Sequence, residues 1–151
     1  MIPFLKRLLG RFAESSRKRA RVEVLAVGSE ELISRFVFSS QHFSRNPTRV
    51  KQAAFLPNSE GKTSVFRISG LAENDIWAIG IHHVGRARGK NPHGRADVVT
   101  NDVLAQGLAV TPETSTHPLH ADIQGWPVEK EKQKLLAMEL AARARPVLLE
   151  K

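Results

Sequence analysis

Neither cysteine nor tyrosine occurs in this chain of 151 residues. The first absence excludes disulfides, thiolate metal ligands and a cysteine nucleophile, and it leaves the redox compartment unmarked. The second, with aromatics at only 6%, removes the rows of exposed rings on which single-strand binders stack bases. Trp77 and Trp126 are accordingly expected in the core. There is no run of about 18 apolar residues that would cross a membrane, and the expected location is the cytoplasm. The GxxxxGK[ST] and GxGxxG phosphate loops are missing. So are zinc-finger and common RNA-binding signatures, internal repeats and heptads. No cofactor and no metal centre is expected.

Acid is scarce as well, but only in parts of the chain. The formal net charge is +8. Residues 1–96 hold 17 Lys+Arg against 7 Asp+Glu, whereas residues 97–151 hold 6 against 8. Residues 1–22 contain seven basic residues and one acid, Glu14. The windows 32–59 and 76–96 contain no acid at all. Such a field draws polyanions or anionic lipid and speeds their encounter. It carries no information about fold.

What is present reads as a globular protein. The chain is 41% hydrophobic and 25% charged, and a domain of this length buries about two-thirds of its unfolded surface. Leu5, Leu8, Leu9 and Phe12 follow a helical period, with Lys6, Arg7 and Arg11 off the stripe. Residues 1–20 thus read as a basic amphipathic helix or arm, suited to a protein partner, a membrane surface or nucleic acid. A single α+β domain is expected over 21–151. Arg21–Val27 alternates as a strand. Ser29 is placed to cap a helix carrying Ile33, Phe36 and Val37. Thr63–Ser69 reads as a strand, Ala72 to Val84 as a helix, and Gly85–Gly94 as a loop. Ala96–Val99 and Leu108–Val110 read as short strands around a helix at Asn101–Gln106. A last helix follows Pro127 and stops at Pro146. Short strands alternating with short helices predict a small mixed sheet with three to four helices.

Three stretches have the residue types that chemistry needs. Residues 39–51 combine hydroxyls, His42, Arg45, Arg49 and Lys51, donors that suit phosphate oxygens, with Phe43 expected beneath them. Residues 81–95 carry Arg86, Arg88, Lys90 and Arg95 among glycines that let backbone approach a ligand. Residues 117–127 hold His120 and Asp122, which share a face if the segment is extended, as an oriented acid/base pair or half of a metal site would require. Arg67, within the apolar Val65–Ile68 run, either reaches water or lines an anion cleft. The leading expectation is a protein that binds nucleic acid or another polyanion through the two acid-free windows. The alternatives are a small enzyme for a phosphorylated or nucleotide substrate, using His42, His120 and Asp122 with Arg49 or Arg67, and an interaction subunit anchored by residues 1–20.

Overall fold

Apolar side chains that recur at every second residue set the architecture, because each such segment can bury one face as a strand. A computed structural model describes residues 24–46 and 48–150. Its strands are β1 (Leu32–Val37), β2 (Thr63–Arg67), β3 (Gly94–Val99), β4 (Ala109–Pro112), β5 (His120–Gln124) and β6 (Arg145–Leu148). They form one six-stranded sheet in the order β4-β5-β2-β1-β3-β6. Every neighbouring pair is antiparallel, so the expected mixed sheet is corrected to an antiparallel one. The outermost strands are short, and each contains a proline, Pro112 in β4 and Pro146 in β6.

The largest correction lies at β1. Ile33, Phe36 and Val37 fit a helical stripe, yet the segment is a strand. It is rich in β-branched and aromatic residues, and it pairs with β3 along its whole length, from Leu32↔Val99 to Val37↔Gly94. Tertiary pairing therefore overrides the local period. Upstream, residues 24–27 form no strand, and Glu31 closes a turn onto Gly28 instead of starting a helix. The remainder of the expected first strand, and the basic arm of residues 1–20, lie outside the described residues.

Each sheet face has its own cover. On one face Ile33, Val65, Ala96, Val98, Ala121 and Ile123 pack with Phe55, Val103 and Leu140. That cover consists of a 3-10 turn (Gln52–Ala54), α3 (Thr100–Leu104) and α4 (Lys130–Arg143). Ala137 and Ala141 are buried in α4 and keep it close to the sheet. Its start falls later than expected: Pro127 precedes the first turn and accepts a bond from Gln133 Nε2 at 2.7 Å. Trp126 packs on this core, and Phe43 is buried within it.

On the other face Phe36, Phe66 and Ile68 pack with Ile76 and Ile79. Here a continuous helical rod runs through α1 (Glu73–Ala78), a π-helical turn (Ile79–Gly85) and α2 (Arg86–Arg88). It extends past the helix end expected at Val84. Gly80 lets the rod approach, since a Cβ there would sit 2.5 Å from the Phe36 ring. Gly89, at φ 77°, ends the rod in the left-handed conformation that glycine adopts at no steric cost.

Arg95 fastens this rod to the sheet. Its side chain is 1% exposed and bonds Asp97 on its own strand at 3.1 Å and Glu73 of α1 at 2.9 Å. The guanidinium lies 4.8 Å from the Trp77 ring centre. Hydrogen bonding to Arg95 holds the Glu73 carboxyl below its ordinary range, as Arg67 does for Glu31. Those two carboxyls therefore stabilise the fold above their unfolded pKa, and that contribution is lost as pH falls through the depressed folded value. Replacing Arg95 would leave Asp97 charged and buried at 2% exposure. Arg95→Met should thus lose about 3–5 kcal/mol in urea unfolding. Glu73→Gln, at a carboxylate 64% exposed, should lose no more than about 1 kcal/mol; equal losses in the two variants would refute this assignment.

Candidate functional site

Because β1 is a strand, Arg35 shares a face with Ile33 and Val37 instead of lying off a helical stripe. The β1–β2 ladder has only two registered pairs, Ile33↔Arg67 and Ser34↔Phe66. Beyond them the Arg35 guanidinium takes over: Nε donates to the Ala54 carbonyl at 2.9 Å and Nη1 to the Ser64 carbonyl at 3.0 Å. Among the described residues, Arg35 forms no ion pair and Nη2 has no hydrogen-bond partner. Burial first, and the charge of Arg88 second, pull its pKa down to about 10. It stays cationic at neutral pH.

The guanidinium faces a hollow of about 180 Å³, lined also by Ser39, His42, Arg88 and Lys90. Both acid-free windows therefore meet here, the first through Arg35 and His42 and the second through Arg88 and Lys90. Arg88 stands at the end of the rod, 4.6 Å above the Phe38 ring. Gly89 turns the chain so that Lys90 N donates back to Gly85 O at 3.1 Å. Next to this hollow, Ser40, Gln41, Ser44, Arg45, Lys51 and His93 line a more open one of about 470 Å³. Its wall is a small hairpin in which Phe43 bridges Val50 and Lys51 N donates to His42 O at 2.7 Å. Arg45 and Arg49 are exposed near its tip, and Arg86 is exposed on the rod.

Two expected anion ligands are not at this surface. Arg95 is interior, as described above. Arg67 gives Nε and Nη2 to Glu31, at 2.9 and 2.7 Å, and Nη1 to the Leu25 carbonyl at 2.7 Å. Arg95 was expected at an anion because it lies at the end of an acid-free window, and Arg67 because a cation in an apolar strand either reaches water or lines a cleft; the fold instead pairs each with carboxylates. Nor do His42, Arg67 and His120 line one hollow. The hollow at His42 contains neither of the others, and His120 lies under the helical rod, on the opposite sheet face from Arg35.

His120 and Asp122 do share a face of β5, with His120 Nε2 3.6 Å from Asp122 Oδ1. Ser64 of β2 stands opposite Asp122 in the register. The Ser64 hydroxyl is 2.6 Å from His120 Nε2, and the Glu113 carbonyl is 2.8 Å from Nδ1. The Glu113 carboxylate lies 3.2 Å from the same Nδ1. Donation from Nδ1–H to the carbonyl leaves Nε2 as the acceptor of the Ser64 hydroxyl. Burial raises the Asp122 carboxyl above its ordinary value, with His120 and Lys62 opposing the shift. Phe66 meets the rings of His83, His117 and His120 at centroid distances of 5.9, 5.4 and 5.2 Å. These rings pack the histidines tightly under the rod.

Sequence reasoning did not single out Arg35, Ser64 or Glu113. Reading β1 with a period of two would have found the first; the others depend on strand register. Searches against protein-family models, curated proteins and solved structures find no match to this chain.

Burial, followed by the charges of Arg35 and Lys51, holds His42 below the ordinary imidazole value. Removing one of those charges should let it recover in part. In Arg35→Gln the His42 ring, followed by NMR through a pH titration, should take up its proton at higher pH than in the parent protein. An unchanged midpoint would refute the proximity of the two groups.

Proposed function

We propose that this protein binds nucleic acid or another phosphate-bearing polyanion along the basic lip formed by residues 35–51 and 86–93. The observation that carries this reading is Arg35. A partly buried guanidinium with no carboxylate partner, facing a hollow lined by further cations, is an unfavourable arrangement unless an anion completes it. Phosphate oxygens meet that need, and a guanidinium is the donor group best matched to them.

In this reading Arg35 and Arg88 hold one phosphate in the inner hollow, with Ser39 as a further donor. Lys51, Arg45 and Arg49 follow the backbone outward, and Lys90 and Arg86 flank it on the other side. The seven basic residues of 1–22 add contacts without adding sequence readout. Recognition is by backbone charge, since the lip has no exposed aromatic platform comparable to those of single-strand binders.

Binding of this kind releases counterions and weakens steeply with salt. Filter binding of RNA and DNA oligonucleotides by the full chain, at about 50 and 200 mM salt, tests it. The expected result is a log–log slope near −0.9 for each phosphate contacted on duplex, or −0.7 on single strands. Arg88→Gln should weaken binding to all sequences alike and reduce that slope by about 1. Micromolar or weaker binding at low salt, with no slope, would overturn the proposal.

A further inference from the structure

The Asp122 carboxylate is 7% exposed on the sheet face covered by the rod. Among the described residues it accepts no hydrogen bond, and no ammonium or guanidinium lies within 4.0 Å of it; His120 Nε2 stands 3.6 Å away. A carboxylate so sheltered is costly to keep ionised without a partner, and a bound cation would offset that cost. The carboxylate points to the same place as two other donors. A ligand atom each from Glu113, His120 and Asp122 lie within 4.8 Å of one another.

We infer that Glu113, His120 and Asp122 form a binding site for a divalent first-row transition-metal ion of the zinc or cobalt type. One imidazole with two carboxylates is a donor set that such ions take, whereas calcium and magnesium prefer oxygen alone. The imidazole is set for the task. Nδ1–H is fixed on the Glu113 carbonyl at 2.8 Å, the outer-shell bond that orients a ligating histidine, so Nε2 is the ligating nitrogen once an ion takes the place of the Ser64 hydrogen. Nε2 and the Asp122 carboxylate face the same space, with the Ser64 hydroxyl 2.6 Å from the nitrogen as a neutral further donor. Two ligands on one ion with bonds of about 2.0–2.2 Å lie at most about 4.4 Å apart. The Glu113 carboxylate rests 3.2 Å from Nδ1, and its side chain, 38% exposed, changes rotamer to reach an ion held on Nε2; its exposed side gives the ion a way in. The site shares no residue with the basic lip.

Titrating the untagged full chain with Co²⁺ tests this directly. One ion per chain should bind, with a visible ligand-field absorption band that Zn²⁺ displaces. His120→Asn and Asp122→Asn should each weaken uptake at least about tenfold, the scale on which even outer-shell partners act. Glu113→Gln, at a half-exposed side chain, should fold normally and weaken uptake as well, which keeps the test decisive if the buried variants misfold. No stoichiometric uptake overturns the inference. So does uptake that is unchanged in Glu113→Gln and His120→Asn, because the exposed His82 and His93 would then be the ligands.

Discussion

The guanidinium of Arg95 is the joint on which the two halves of the molecule turn. It belongs to β3, yet its hydrogen bonds reach both Asp97 beside it and Glu73 on the rod above. A cation buried to 1% exposure is tolerable only with such partners, and the partners are tolerable only with it. The pairing therefore specifies one placement of the rod on the sheet. The tight approach of Gly80 to Phe36 and the stacking of Trp77 on Arg95 follow from that placement. So does the arrival of Arg88 over Phe38 at the far end of the rod.

Three arginines in this chain illustrate why a charge count is a poor guide to a binding surface. Arg95 is neutralised inside the fold. Arg67 is clamped by Glu31 and by carbonyls of the preceding segment. Arg35 has carbonyls for two of its nitrogens and no carboxylate at all. All three are cations in acid-poor sequence, and only the last is left with charge to offer a ligand. What distinguishes them is the acids that pairing brings to them, Glu31 to Arg67 and Glu73 to Arg95 from distant positions and Asp97 to Arg95 from its own strand.

The legible features of the sequence were those governed by local physics. The helix of 130–143 shows in its flanking prolines and the placement of its charges, although Pro127 marks its approach and not its first turn. Gly107 ends a helical turn at a positive φ, as its position suggests. The shared face of His120 and Asp122 follows from alternation alone, once the segment is extended. Residues 32–37 fit a helical period because the strand is buried on both faces, with Ile33 and Val37 on one and Phe36 on the other. That ambiguity left Arg35 outside the sheet face it occupies. Ser64 meets His120 only through the β2–β5 register, and Glu113 only through the turn between β4 and β5. Neither relation is written in local sequence.

The prolines of the two outermost strands have a consequence for assembly. An open sheet displays a row of donors and acceptors at each rim, and a stray extended segment can add to it. Here each rim is a strand of 4 residues carrying a proline, which has no N–H to give. A visiting strand would find a short and interrupted template. Among the described residues the sheet ends at six strands, and both rims are poor templates for further backbone addition.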